Sequence, residues 1–566
     1  MSVDKPLKVV FCWHMHQPDY RGPEHSDFQL PWVYLHAIKD YVDMAAHLER
    51  YPKAKAVVNF APVLLEQLDD YADQIKGWLE QGTIIKDPLL AALAGPGVPV
   101  DHESRQALIF ACRKANEEHL VNRFRPFKHL IELSHGIDQH KKNIIYFNDQ
   151  FIVDLLVWYH LAWMGEFARI NDIRIKSLEK KRKNYNVDDR RCLVEAIGDL
   201  ISGVISRYRK LAEAGQVELS VTPFAHPIMP LLLDIDSTKE ALPNVELPEQ
   251  TDYPGGEPRA RWHIREGIEV FEQHFGFRPQ GCWPSEGAVS AETLRLLEEE
   301  GFRWAASGQQ VLHNSLRASN SDHMPHNWIH RPYRLQQGKL SCFFRDDGLS
   351  DLIGFTYANW HADDAVANLV QNLENIDAAT KGMPDRMVAI IMDGENAWEY
   401  YPRNGCFFFD ALYKRLTEHP DIEMSTFSDC LDHAGAARET LSTMISGSWV
   451  YGTFSTWIGD PDKNRGWDML IEAKQVYDRV IASNRLDEQA RREAELQLAR
   501  CEGSDWFWWF GDYNPGETVS DFEKLFRSQL TQLYLLLEED PPEYLLHVFA
   551  TGKGDPTHGG VMRQNV

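Results

Sequence analysis

Short apolar runs that stop abruptly at polar and aromatic clusters constrain this chain more than any other feature. Leu7–Trp13 (LKVVFCW) stops at His14-Met15-His16-Gln17-Pro18, where proline ends regular pairing. Lys55–Phe60 (KAVVNF) stops at Ala61-Pro62 and gives way to a helical stretch, VLLEQLDDYADQIKGWLEQG. Met387–Met392 (MVAIIM) stops at Asp393. Runs this short and apolar read as buried strands. Val217–Thr222 (VELSVT), Gly281–Trp283 and Arg303–Ala306 read as further strands. Strand, loop and helix in succession make the βα unit of a parallel barrel or sheet. Parallel α/β barrels place their active sites beyond the C-terminal ends of the strands, which is where these clusters fall.

The intervening segments are helical in pattern. Residues 100–215 read as a helical insertion between barrel strands, and the pattern after residue 430 as a C-terminal helical region, with Leu486–Arg500 and Val519–Leu537 amphipathic. Asp234–Arg261, rich in Pro, Gly, Asp and Glu, reads as a long loop or lid. The formal net charge of −25 argues against nucleic-acid binding, which needs basic clusters; the run KKRK at Lys180–Lys183 reads as a solvated helix face. Eight scattered cysteines form no CxxC pair, and the N-terminal stretch carries no long apolar segment. No run of about 18 apolar residues suggests a membrane span. A cytoplasmic enzyme with a neutral substrate and no membrane partner is the expectation.

Four constellations can carry chemistry. In WHMHQP (Trp13–Pro18), His14 and His16 alternate just past a strand and point to one side. They could hydrogen-bond sugar hydroxyls, ligate a metal, or be satisfied structural residues. In GQVELSVTPFAHPIMPLL (Gly215–Leu232), Glu218 lies within an apolar strand and must be paired or have a task. His226, in the loop beyond, is the better substrate contact. In GCWPSEGAVS (Gly281–Ser290), Glu286 is presented at a strand end, with Trp283 as an apolar wall. In VAIIMDGENAWEYYP (Val388–Pro402), Asp393 ends a fully apolar strand, and Glu395 and Trp398 follow. Partial desolvation there raises a carboxyl pKa, as a general acid requires. Three later clusters mix aromatic and acidic residues: Phe343–Trp360, Gly447–Trp467 and Glu502–Asp512. From them Arg345, Trp457, Asp460, Asp505 and Trp506 are expected near substrate. Of the 17 tryptophans, more than half are expected in the core.

Together these elements resemble glycoside hydrolase family 57. The matches are HQP at His16–Pro18, GQVE at Gly215–Glu218, WPSE ending in Glu286, DGENAWE beginning at Asp393, and the aromatic C-terminal clusters. They occur in the family's order and span most of the chain. The resemblance implies an α/β fold: an incomplete (β/α)7 barrel over residues 1–430, with the helical insertion, then a helical bundle over 431–566 completing the cleft. It implies a retaining mechanism on α-glucans, with Glu286 as nucleophile and Asp393 as general acid/base, and no cofactor or metal. Amylase and amylopullulanase-like members are the nearest in appearance. The family also holds 4-α-glucanotransferases, branching enzymes and α-galactosidases.

Two other classes fit parts of the pattern. A metal-dependent α-mannosidase or deacetylase would bind zinc through His14, His16 and an acidic partner, but the chain lacks an evident HxxxH or HxD run. A non-catalytic glycan-binding protein would not need both Glu286 and Asp393.

Overall fold

The computed structural model of the chain describes residues 5–22, 27–319, 327–433 and 439–554. Ten strands form one sheet: β1 (Leu7–Met15), β2 (Ala56–Phe60), β3 (Val217–Val221), β4 (Gly281–Cys282), β5 (Trp304–Ser307), β6 (Tyr333–Leu335), β7 (Ser341–Phe344), β8 (Met387–Asp393), β9 (Ile422–Met424) and β10 (Glu439–Leu441). Seven of them run parallel in the order β8-β1-β2-β3-β4-β5-β7. The strands expected to end at Trp13, Phe60, Thr222, Trp283 and Met392 are all among these seven. The curl comes round between β7 and β8, where one bridge, Arg345 to Ala389, stands in for a ladder. There the Asp346 N–H donates to the Ala389 carbonyl (2.8 Å), and Arg345 Nε donates to the Ile391 carbonyl (2.9 Å). This is an incomplete (β/α)7-type barrel.

A strand's period of two divides each run between two cores. Val10 and Cys12 of β1 and Met387, Ala389 and Ile391 of β8 face an inner cluster with Trp304, Phe343 and Phe427. Leu7, Val9, Phe11, Trp13 and Met15 face the surrounding helices. Both faces are buried, so the runs read as continuous apolar strings. The same alternation, carried one step past the apolar residues, turns His14 and Asp393 inward. Register sets His14 opposite Asn59 on one side and Asp393 on the other.

Beneath this layer the barrel is filled. Trp304 leans over β4 so closely that a Cβ at Gly281 would lie 1.7 Å from its ring. Glu218, left open between pairing and a task, is paired: its carboxylate accepts from Trp304 Nε1 (2.7 Å), Ser428 Oγ (2.6 Å) and Ser428 N–H (2.9 Å). It anchors the helix Phe427–His433 to the barrel.

Helices fill much of the segment from His102 to Glu213, ending in the 27-residue helix Val187–Glu213, which starts on an Asn186–Asp189 capping box. The C-terminal helices are Pro461–Ser483, Glu488–Cys501, Ser504–Trp509 and Gly516–Leu536. The expected lid at Asp234–Arg261 is instead strapped down. Asp468 accepts the Gln250 N–H (2.9 Å), the Tyr253 hydroxyl donates to Glu502, and the segment already carries the helix Thr238–Ala241 and the start of Gly256–Phe275. Among the described residues, no helix is long and apolar enough to cross a membrane.

Candidate active site

Four of the seven parallel strands deliver polar residues to one cavity of about 280 Å³. β1 supplies His14 and, just beyond its end, His16. The turn after β3 supplies His226, the turn after β4 Glu286, and β8 its last residue, Asp393. The C-terminal helix Ser504–Trp509 closes the far wall with Asp505, Trp508 and Trp509. Two of these turns are held in unfavourable backbone. Glu286 (φ 57°), Ala225 (φ 57°) and His226 (φ 59°) all occupy the left-handed region. A non-glycine residue there costs on the order of 1–3 kcal/mol, so the surrounding contacts hold these side chains where they are.

The contacts are specific. Glu286 Oε2 accepts from Trp449 Nε1 (3.1 Å), and its Oε1 lies 3.4 Å from Ser504 Oγ and 3.9 Å from His226 Nδ1. The main chain repeats the attachment, because the Trp449 N–H donates to the Glu286 carbonyl (3.1 Å). His226 Nδ1 lies 2.7 Å from Ser504 Oγ, His226 Nε2 lies 3.2 Å from His14 Nε2, and His14 Nδ1 lies 2.7 Å from Asn59 Oδ1. A row of hydrogen-bonding groups thus runs from Asn59 through both histidines and Ser504 to Glu286. His16 Nε2 meets Asp505 at 2.9 Å. Asp393 accepts from Asn396 Nδ2 (3.1 Å). Glu395 lies below, its Oε1 taking the His16 N–H (2.9 Å) and the Tyr41 hydroxyl (2.5 Å). Tyr41 ends a π-helical turn, Ala37–Tyr41, a distortion frequent at functional sites.

Five carboxyls line this cavity, Glu286, Asp393, Glu395, Glu399 and Asp505, so protons are held tightly. Burial, then the charges of Asp505 and Asp393, push Glu286 up to about 8. Burial pushes Asp393 up to about 6, against the pull of Asn396, His16 and Arg345. Burial and the Asp393 charge raise Glu395 well above the carboxylate range. Asp393 is raised, as its apolar strand implies. Glu286 is nevertheless raised further, because it faces two acidic neighbours while Asp393 faces Arg345 and His16.

The expected site residues therefore divide. His14, His16, His226, Glu286, Asp393 and Asp505 come together on the cavity. Trp283 is fully buried behind it, edge-on to Trp449 at 5.3 Å, and supports the wall instead of forming it. Arg345 closes the barrel seam and is ion-paired to Asp347 and Asp351, both at 2.6 Å. Trp398 packs on Trp13 and Phe409 in the outer core. Trp457 is buried behind Trp508. Asp460 caps the helix Pro461–Ser483 through the Asp462 N–H (2.9 Å). Trp506 lies between Phe522 and Phe526, its Nε1 donating to the Arg500 carbonyl (2.8 Å). For Trp398, Trp457, Asp460 and Trp506 the expectation of a place on the substrate wall is corrected: an apolar contact or a helix cap already occupies each side chain. The wall is built from Trp449, Trp508 and Trp509, which belong to the clusters noted in the sequence but were not singled out there. Asn59 and Ser504 carried no sequence signal of their own.

Comparison with known proteins agrees with this architecture. A model of the family described as Glycosyl hydrolase family 57 matches residues 10–443. No curated protein matches the sequence. Among solved structures, a GH57 branching enzyme from Thermococcus kodakaraensis superposes with a TM-score of 0.58 at 15% identity, covering 94% of this chain and 90% of that one. A GH57-type branching enzyme from Pyrococcus horikoshii gives 0.56 at 15% identity, with 95% and 98% covered. An α-amylase from Thermotoga maritima gives 0.56 at 13% identity, with 94% and 93% covered. At these identities the structural likeness speaks to the fold alone. The family match spans most of the sequence and takes in every strand end that feeds the cavity, so the chain belongs to glycosyl hydrolase family 57.

Proposed function

We propose that the protein cleaves α-glucans by a retaining double displacement, with Glu286 as nucleophile and Asp393 as general acid and base, and that it works in the cytoplasm. The observation that carries this reading is the meeting of Glu286 and Asp393. They are far apart in sequence, yet both are part-buried on one aromatic-walled cavity, and the charge of Asp393 acts on Glu286. The fold relatives named above, two branching enzymes and an α-amylase, support an α-glucan as substrate. Eight free cysteines fit a reducing compartment.

The chemistry follows from where a proton can sit. Two close carboxyls cannot both ionise cheaply, so the pair holds one proton near neutrality. Of the two, Glu286 competes better for it. A bound sugar reverses the preference, because the glycosidic oxygen accepts a hydrogen bond from protonated Asp393 while positive charge developing at the anomeric carbon favours ionised Glu286. Asp393 then gives its proton to the leaving oxygen as the Glu286 carboxylate bonds to that carbon. In the second half Asp393 takes a proton from water or a sugar hydroxyl, whose oxygen displaces Glu286. Water completes hydrolysis and a sugar completes transfer. The Trp449 Nε1 donor favours the ionised form of Glu286, and Trp508 and Trp509 offer apolar faces to sugar rings.

Incubation with maltoheptaose, amylose and pullulan, with product sizing, tests this. Shorter chains alone identify a hydrolase. Chains both shorter and longer than the input identify a 4-α-glucanotransferase, and new α-1,6 branches a branching enzyme. Absence of any product from all three substrates refutes the α-glucan reading.

A further inference from the structure

The register of three strands places a buried amide beneath the cavity. Asn59 on β2 stands between His14 on β1 and Ser220 on β3, and Thr222 lies one residue past β3. Asn59, Ser220 and Thr222 have no exposed surface, so the amide depends on these neighbours for its hydrogen bonds. Its oxygen lies 2.7 Å from His14 Nδ1 and accepts from Thr222 Oγ1 (2.8 Å), and its nitrogen donates to Ser220 Oγ (3.1 Å). From His14 the contacts run on through His226, nitrogen to nitrogen at 3.2 Å, and Ser504 Oγ at 2.7 Å to Glu286 Oε1 at 3.4 Å. His16 stacks on the face of His226, centroids 3.8 Å apart, and stays outside this row.

Each link holds one proton, so the direction of one link sets the direction of all. With the Asn59 oxygen facing it, His14 carries its proton on Nδ1 and accepts at Nε2 from His226 Nε2–H. His226 Nδ1 then accepts from the Ser504 hydroxyl, whose oxygen is left to accept from Glu286. That direction suits a protonated Glu286. An ionised Glu286 has no proton to give and needs the Ser504 hydroxyl as its donor. His226 must then donate from Nδ1 and His14 from Nε2, which leaves His14 Nδ1 an acceptor facing an oxygen. A half-turn of the Asn59 amide removes that clash, because it exchanges oxygen and nitrogen. The neighbours accept both settings. Ser220 Oγ accepts from the amide nitrogen in one and donates to the amide oxygen in the other. Thr222 Oγ1 lies 2.8 Å from the amide and 2.9 Å from the Trp283 carbonyl, and its single proton can go to either.

We propose that Asn59 is a positioning residue for Glu286, its amide turning over as Glu286 ionises so that Ser504 accepts from the acid and donates to the carboxylate. One proton leaves for solvent, and donor and acceptor exchange at every link. The rings change tautomer and not charge: burial, then the neighbouring histidines, hold His14 down to about 3 and His226 well below its ordinary value. Around Glu286 itself, burial, then the charges of Asp505 and Asp393, push the carboxyl up to about 8, and Trp449 Nε1 favours its ionised form. Asp393 also stands beside His14 in register on β8. The benefit to a nucleophile rests on the reading of the preceding subsection; the turning of the amide does not.

Neutron diffraction from deuterium-exchanged crystals of the full chain tests this, because it locates deuterium and separates amide nitrogen from oxygen. Data are needed at about pD 6 and about pD 10, on either side of the Glu286 titration. At the lower value deuterium is expected on His14 Nδ1 and His226 Nε2, with the Asn59 oxygen towards His14. At the higher value it should sit on His14 Nε2 and His226 Nδ1, with the amide nitrogen towards His14. Asn59→Asp, whose carboxylate only accepts, should hold the first setting at both values. Ser504→Ala, which cuts the row from Glu286, should give one setting at both. A wild-type row that reads the same at both values overturns the proposal. So does deuterium on both nitrogens of the His14 or the His226 ring at either value, or a switch that survives in the two variants. Should the variants fail to fold, the wild-type pair of maps decides the matter. The maps read hydrogen bonds and involve no turnover, so their outcome is separate from azide rescue of Glu286→Ala, which tests the nucleophile.

Discussion

Replacing Trp449 by Phe removes one hydrogen bond and leaves almost everything else. The ring keeps its edge-on packing against Trp283 and its main-chain bond to the Glu286 carbonyl, but Glu286 Oε2 loses its donor at 3.1 Å. Ser504 Oγ, at 3.4 Å, is a poor substitute. A hydrogen bond to a charged group contributes about 1.5–3 kcal/mol net. Because the bond favours the ionised form, losing it raises the Glu286 pKa. At about 1.4 kcal/mol per unit the rise is about one to two units. Glu286 already stands high through burial and the charges of Asp505 and Asp393, so this further rise takes carboxylate away from the nucleophile at neutral pH. The ascending limb of kcat/KM should move up by the same one to two units, and the rate at pH 7 should fall about 10–100-fold. The assay is kcat/KM against pH on an aryl α-maltoside whose good leaving group makes little demand on Asp393. Circular dichroism and a melting curve check that the variant is folded. An unmoved limb, with a rate within about twofold of wild type, would mean that ionisation of Glu286 does not limit attack, and the nucleophile assignment would fall.

Other expectations can be measured separately. Glu286→Ala should lose several orders of magnitude in rate and regain turnover with azide, giving the inverted glycosyl azide by product NMR; no rescue argues for another nucleophile. Trp506→Ala should cost about 3–5 kcal/mol in denaturant unfolding, as a core deletion does, while Trp509→Ala should raise KM with a smaller loss of stability. Stability should also fall in acid through Glu502. Burial would raise this carboxyl, but the Arg259 guanidinium at 2.6 Å overcomes the burial and holds it well below the carboxylate range. A depressed folded-state pKa gives stability that is present above the unfolded value near 4.5 and lost as pH falls below it. Glu502→Gln should therefore lower Tm at pH 7 and flatten its dependence between about pH 5 and 2; an unchanged acid slope would show that another group controls it.

The parts of the site that were legible in the sequence lie one residue beyond an apolar run. His14 and Asp393 end strands whose alternation is fixed by burial on both faces, so their inward direction follows from Val10, Cys12, Ala389 and Ile391. Glu286 was legible because Trp283-Pro284 halts β4 just before it. Asn59 was not, although it stands directly across from His14: its polarity is lost inside KAVVNF, and only the register of β1 on β2 shows that it meets His14. Arg345 was assigned to substrate because it sits among acidic and aromatic residues. Its acidic neighbours proved to be its own ion-pair partners, and the closing of β7 on β8 depends on contacts too sparse to leave a strand pattern.

The tryptophans show a different limit, set by geometry. In Ser504–Trp509 the residues that reach the cavity are Asp505, Trp508 and Trp509, spaced i, i+3 and i+4, which is one face of a helix. Trp506 and Phe507 fall on the opposite side and pack on Phe522, Phe526 and Trp467. Composition treats all three tryptophans alike, because an indole suits a sugar wall and a protein core equally well. What separates them is the helical turn, and five successive residues give too short a window for a 3.6-residue period to be read. Asp505 is the one polar residue among them, and it is the residue that had to face a polar partner, His16 at 2.9 Å. Placing Asp505 on the cavity forces Trp508 and Trp509 there as well and sends Trp506 inward. The acidic residue, and not the abundance of rings, therefore decides which aromatic side chains this helix gives to the substrate.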